Sequence, residues 1–222
     1  MSRTVSNNWW NQSAHYHLKR EQYSKGQVED TIFPTFKKYM TSVIRGQRGF
    51  CIADFACGGG SIAREFADKC VKNGIDISKF VLIDVVPDNL DAATNRLAEI
   101  LPRSAIENYL CDGQSFAEYR GTKVDFLYCW DAMVHFDILD VVGYLRTLRN
   151  ITNGFAFFHH SNFCNVTTDI RQNPHWRNFM SKDIFKQINL SSGHEVLEQR
   201  LIDWGSEPMH QDCLTTVAVK SF

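Results

Sequence analysis

The sequence predicts one α/β domain built on a doubly wound, largely parallel sheet. Two observations predict it. From residue 50 onward, short apolar runs alternate with longer stretches of helical periodicity, the pattern of buried strands joined by crossover helices. A glycine-rich turn, Gly58-Gly59-Gly60, lies directly between the first such run and the first such helix, where an open sheet of this kind receives a ligand.

Residues 1–27 are polar and aromatic, with Trp9, Trp10, His15, Tyr16, His17 and Tyr23, and read as an arm or short helices. Residues 28–44 carry apolar side chains at roughly helical spacing. Pro34 falls inside them and predicts two helices or one kinked one. The strand runs are 50–56 (FCIADFA), 80–86 (FVLIDVV), 106–110 (IENYL), 124–130 (VDFLYCW) and 155–160 (FAFFHH). Helices are expected over 61–71, 86–101, 137–148 and 181–190, and two closing strands over 196–204 and 213–220 are expected to form a hairpin. No composition break marks a second domain. Residues 1–45 are expected to cap the site and residues 46–222 to form the domain. The polar stretch 161–178 is long for a loop in a compact domain and therefore a functional candidate.

Composition narrows the function. The 222 residues are 44% hydrophobic and 22% charged, with a formal net charge of -1. No Lys/Arg block appears, which argues against a nucleic-acid partner, since phosphate neutralisation carries most of that affinity. Seven Cys with no CxxC spacing argue against a disulfide framework or structural zinc. No run is long enough to span a membrane, and the N-terminus has no apolar signal core, so a cytoplasmic enzyme is expected.

Glycines after a first strand let the backbone turn tightly and approach a ligand closely. The second run reaches Asp84, where an acidic side chain accepts hydrogen bonds from ribose hydroxyls in nucleoside-binding α/β folds. The third is followed by Asp112-Gly113, whose carboxylate can reach an adenine edge. Taken singly, each has a plain reading: a tight turn, a turn-opening Asp, an Asx turn. Together they point to a nucleoside cofactor. A nicotinamide or flavin dinucleotide is the rival, because Gly58, Gly60 and Ala63 formally satisfy its glycine pattern.

On Asp54 through Gly60, Asp84 with the VPDNL stretch behind it, and the Asp112 loop, the sequence resembles the class I S-adenosylmethionine (SAM)-dependent methyltransferases over about residues 50–160. The resemblance implies a Rossmann-like seven-stranded sheet with a reversed final hairpin. It implies SAM as cofactor and S-adenosylhomocysteine (SAH) as product. It implies that Gly58 and Gly60 pass under the methionine part, Asp84 holds the ribose and Asp112 lies near the adenine. Asp54, Ala56, Val85, Gly113 and Trp130 complete the expected cofactor set. Ala56 departs from the family, which often has Gly there.

The acceptor side is expected from the remaining strand ends. Methyl transfer requires an aligned nucleophile and, for a hydroxyl, a base. His135, His159 and His160 are the candidates, His being the usual base near neutral pH. Asp131 can orient one of them or bind a hydroxyl. If extended, the adjacent His159 and His160 point to opposite faces. Asn162, His175, Arg177, Trp204 and Asp212 are the substrate candidates. The endings at Val134-His135, the HHSN run, the NPHWR stretch, Trp204 and Asp212 resemble a narrower group, bacterial methyltransferases of glycan and surface-polysaccharide biosynthesis. That resemblance implies O-methylation of a sugar or similar polar acceptor. Ala132-Met133 replaces the Ser-Leu frequent in that group. An amine, carboxylate or protein acceptor is the alternative. Asp131, His135, His159, His175 and Asp212 are also metal-ligand types, but without tight spacing a divalent ion is not favoured.

Overall fold

The computed structural model describes residues 23–40, 49–163, 177–203 and 211–219. Its strands form a seven-stranded sheet in the order β3-β2-β1-β4-β5-β7-β6, the architecture expected from the sequence. By contacts the chain divides into two units, Met1–Cys111 with Gly121–Tyr128, and Asp112–Arg120 with Cys129–Phe222.

In the first unit, helical residues 23–27 lead into a π turn over Val28–Ile32 that passes directly into α1 (Phe33–Met40). Pro34 lacks the N–H that an α-helix needs at that point, and the wider turn sits just ahead of it. The strand β1 (Phe50–Phe55) is buried along its whole length. It pairs in parallel with β2 (Ile77–Asp84) on one side and β4 (Val124–Cys129) on the other, and β2 pairs with β3 (Ile106–Leu110). The helix α2 (Ser61–Lys72) follows β1, and α3 (Pro87–Leu97) follows β2, with Pro87 in its first turn, where a missing N–H costs nothing. The core is aromatic: Phe36 packs within 5.4 Å of Phe66 and 5.3 Å of Phe126, and Phe66 within 5.3 Å of Tyr128. Edge-to-face pairs of this kind add to the area they bury.

The second unit holds α4 (Ile138–Thr147), β5 (Thr152–Ser161), α5 (Lys182–Ser191), β6 (His194–Asp203) and β7 (Gln211–Val219). Side chains start both helices: Asp137 accepts from the Leu139 N–H, and Ser181 from the Ile184 N–H, the usual N-cap arrangement. The strand β7 pairs antiparallel with both β5 and β6, so the closing hairpin forms with β7 inserted beside β5. Phe158 and His160 of β5 both pack on Phe185 of α5, at 5.6 and 3.8 Å between ring centres.

Candidate functional site

In the first unit the glycine loop leaves β1 in a run of left-handed residues: Ala56 at φ 60°, Gly58 at 52° and Gly60 at 81°. Glycine adopts that region freely, whereas alanine does so at a cost of about 1–2 kcal/mol. Ala56, where the resemblance leads one to expect glycine, is therefore a strained position. Gly60 is required twice over. Besides its φ, an added Cβ would stand 2.5 Å from the Cα of Ala93 in α3. Gly59 is the opposite case, since a Cβ there would meet nothing within 4 Å.

Asp84 ends β2 and is buried at 6% exposure. Its Oδ2 accepts the Gly58 N–H at 2.8 Å, and its Oδ1 accepts from the Val86 N–H at 3.0 Å and the Asn89 side chain at 3.2 Å. Burial raises its pKa, partly offset by these donors. The bond to Gly58 ties the glycine loop to the end of β2. Val85, next along, is half-buried. Asp54 is buried and stands opposite Tyr128 in the β1–β4 register. The Tyr128 phenol is pushed well above its usual value, first by burial and then by the neighbouring Asp54 carboxylate.

In the second unit, Asp112 forms an Asx turn. Its Oδ1 accepts from the Gln114 and Ser115 N–H groups at 2.7 and 3.1 Å, with Gly113 at φ 81°. The loop is clamped to α4 by contacts that sequence reasoning missed. The Thr147 hydroxyl accepts the Phe116 N–H, and Asn150 donates to the Phe116 carbonyl. Gly143 lets the loop approach so closely that a Cβ there would fall 2.2 Å from the Gln114 carbonyl oxygen. Trp130 is buried against Phe157 and His159.

Asp131, two residues past β4, is half-buried and left-handed at φ 53°, a conformation that Asp tolerates better than most side chains. Its N–H donates to Nδ1 of His159 at 3.1 Å. Nε2 of His159 lies 2.9 Å from Oδ2 of Asp212. Asp212 receives a two-pronged ion pair from Arg177, with Nε on Oδ1 and Nη2 on Oδ2, both at 2.9 Å. Asp212 is fully buried. Burial works to raise its pKa, but His159 and Arg177 together hold it below the usual carboxylate value. Residues expected to act singly are thus joined in one chain, Arg177–Asp212–His159–Asp131.

The neighbouring His160 faces the other way, as the alternation of a strand requires. Its Nδ1 donates to the Ser161 carbonyl at 2.8 Å, so its Nε2 accepts from Thr215 at 2.8 Å. Complete burial lowers its pKa to about 3. Asp131 and His135 do not share a helix, because only Met133–His135 form a 3-10 turn. His135 is half-buried. That turn is gripped by Asn178, absent from the sequence-based candidates. Its N–H donates to the Val134 carbonyl at 2.7 Å, and its side-chain amide donates to the carbonyls of Met133 and Phe136 at 3.1 and 2.7 Å. Ser161 donates in turn to the Asn178 carbonyl. No local pattern could have found Asn178, because its side-chain partners lie 42–45 residues away in the chain. Asn162 accepts the Lys182 N–H at the start of α5. His175 and Trp204 lie outside the described residues. Among the described residues, no group of three or more His, Cys, Asp or Glu is placed to hold a metal ion, and no helix is long and apolar enough to cross a membrane.

Comparison with known proteins agrees with the fold. Residues 52–153 match a family model described as a methyltransferase domain. A search of curated proteins finds no match. Among solved structures, the chain is similar to magnesium protoporphyrin IX methyltransferase from Synechocystis with bound SAH, at 13% identity and a TM-score of 0.67, covering 98% of this chain and 99% of that one. It is similar to a SAM-dependent methyltransferase from Clostridium acetobutylicum, at 14% identity and 0.61, covering 93% and 99%. It is also similar to the cyclase SpnF, at 10% identity and 0.59, covering 78% and 76%. At such identities the likeness is one of fold, and one fold hosts several chemistries. Residues 52–153 thus match a methyltransferase-domain model, and the chain has the Rossmann-like fold of these methyltransferases.

Proposed function

We propose that the protein is a SAM-dependent methyltransferase acting on a hydroxyl of a sugar or similar polar acceptor. The carrying observation is Asp84, a buried carboxylate at the end of β2 bonded to the Gly58 N–H. It has the position and chemistry to accept hydrogen bonds from a ribose. The open space over Gly59 and the lack of a side-chain cap on α2 also suit a cofactor lying along the loop.

The cofactor is S-adenosylmethionine, which when bound supplies a methyl group already activated on a sulfonium. Gly58 and Gly60 shape the loop beneath its methionine part. Asp84 binds the ribose, flanked by Val85, and the Asp112-Gly113 turn takes the adenine edge. Asp54, Ala56 and Trp130 complete the set. On the acceptor side, His135 removes the hydroxyl proton. Both ring nitrogens of His159 and of His160 are engaged within the fold, which supports giving that role to His135. Asp131 accepts a hydrogen bond from the acceptor. Two half-buried polar groups of this kind suit a hydroxylated substrate, and such substrates occur in polysaccharide biosynthesis.

Calorimetric titration with SAM, and with NADH in parallel, tests the cofactor. SAM binding is expected to saturate in the wild type and disappear in Asp84→Ala. Turnover of methyl-labelled SAM on a panel of nucleotide sugars tests the acceptor. His135→Asn is expected to keep SAM affinity within about twofold while losing about 100-fold or more in turnover, the scale of general-base catalysis. Binding of NADH in place of SAM would overturn the reading.

A further inference from the structure

We propose that His159 is a positioning residue rather than a base, and that it presents the Asp131 carboxylate to the acceptor hydroxyl. The proposal rests on the methyltransferase reading above. Its first premise is the direction of one hydrogen bond. An amide N–H can only donate, so the contact between the Asp131 N–H and Nδ1 of His159 leaves Nδ1 without a proton. The ring proton then sits on Nε2, facing Oδ2 of Asp212 at 2.9 Å. The lone pair a base would need is already used by Asp131. His159 is 1% exposed and Asp212 is fully buried, so neither reaches an acceptor directly.

The second premise is the order of burial along the chain of contacts. Arg177 grips Asp212 with two nitrogens. Asp212 fixes the ring orientation of His159 from a diagonal position on β7, whose Leu214 is the register partner of His159. His159 fixes the backbone of Asp131, and only Asp131 emerges half-buried. Asp131 is also the member in the left-handed region, so its side-chain direction depends on that backbone being held. A buried ion pair thus holds, through His159, the backbone of the half-buried Asp131, the kind of support a preorganised site requires.

Two conservative substitutions separate positioning from base catalysis. In His159→Asn, the side-chain oxygen stands near the place of Nδ1 and accepts the Asp131 N–H. In His159→Gln, the amide nitrogen stands near the place of Nε2 and keeps the Asp212 contact instead. Hydrogen exchange of the Asp131 amide reads the hydrogen bond without any acceptor or cofactor. Protection is expected in the wild type and in His159→Asn, and a loss of about tenfold or more in His159→Gln. The 15N spectrum of labelled histidine, assigned by the signal that vanishes in His159→Asn, is expected to show Nδ1 unprotonated.

Turnover on the nucleotide-sugar panel then reads the consequence. His159→Asn is expected to stay within about tenfold of the wild type, and His159→Gln to fall about 100-fold with SAM affinity unchanged. Asp131→Asn, which keeps the left-handed backbone, is expected to raise KM for the acceptor more than it lowers kcat. Equal protection of the amide in both His159 variants would overturn the positioning role. A protected amide in a His159→Asn enzyme as inactive as His159→Gln would make His159 the base. A wild type that shows the expected amide pattern and binds SAM but methylates none of the panel would overturn the acceptor role of Asp131 and the sugar reading together, while the hydrogen-bond result would still stand.

Discussion

Asp84 and Asp131 each stand at or just beyond the end of a parallel strand, yet they are held by different means. Asp84 is held by its own neighbourhood. Two backbone N–H groups and Asn89 converge on its carboxylate, and two of these three donors come from within five residues of it in sequence. Asp131 is held through its backbone by a relay of side chains whose contacts span 28, 53 and 35 residues. The first arrangement is made by turn geometry, and the second exists only once β5 and β7 have paired. Damage to the relay should therefore reach the fold, while damage to Asp84 should stay local.

The sharpest break of that contrast is Asp212→Ala. It leaves the Arg177 charge buried without its counter-ion and removes the partner of His159. Breaking a buried pair on one side costs about 3–5 kcal/mol, read as a shift in the denaturant midpoint. Asp84→Ala removes one acceptor from three donors and is expected to cost about 1–2 kcal/mol while abolishing SAM binding. Equal costs would show that both carboxylates are tied equally deeply into the fold.

Within the glycine loop, two adjacent glycines divide stability from binding. Gly60→Ala forces a side chain onto the backbone of α3 at φ 81° and is expected to cost about 3 kcal/mol. Gly59→Ala enters open space, so the melting temperature is expected to hold within the effect of about 0.5 kcal/mol. SAM affinity is nevertheless expected to fall about tenfold, because the added methyl would lie where the cofactor is proposed to sit. An unchanged affinity would remove the cofactor from that side of the loop.

The adjacent histidines carry the same contrast into pH dependence. His159 is hydrogen-bonded to the Asp212 carboxylate, while His160 is sealed against Phe185 with its pKa lowered by burial to about 3. For a depressed histidine, the unfolded chain takes up a proton near pH 6.5 that the folded one refuses. Stability is therefore full above about pH 6.5 and is lost progressively below it, by about 2 kcal/mol from pH 7 to pH 5 for this group. Unfolding of His160→Phe, which keeps a ring against Phe185, is expected to show a correspondingly flatter acid dependence.

The same division explains what could be read from the sequence. The seven strands of the sheet and four of the helices follow from apolar periodicity, since a strand or an amphipathic helix is written in a short run of consecutive residues. The turns at the glycine loop and at Asp112 were equally legible, because their geometry is local. The roles of His159, Asp212 and Arg177 were not legible as one assembly. Each is an ordinary polar residue until strand pairing sets Ser161 opposite Asp212. Asn178 and Gly143 were invisible for the same reason, as both are explained by segments far away in the chain.

Ala56 gives the smallest expected effect and the finest comparison. It stands where the resemblance to class I methyltransferases leads one to expect glycine, and it sits at φ 60°. Relief of the left-handed strain by Ala56→Gly is worth about 1–2 kcal/mol. The greater freedom of glycine in the unfolded chain takes back about 0.4–1 kcal/mol. A net stabilisation of about 0.5–1 kcal/mol is expected, seen as a rise of about 1–4 °C in melting temperature. SAM affinity separates two accounts of why alanine is kept. If affinity is unchanged, the strain is simply tolerated by a loop that Gly58 and Asp84 already hold. If affinity falls as stability rises, the strained alanine holds the loop in its binding shape, and the first unit then uses backbone strain as the second does at Asp131.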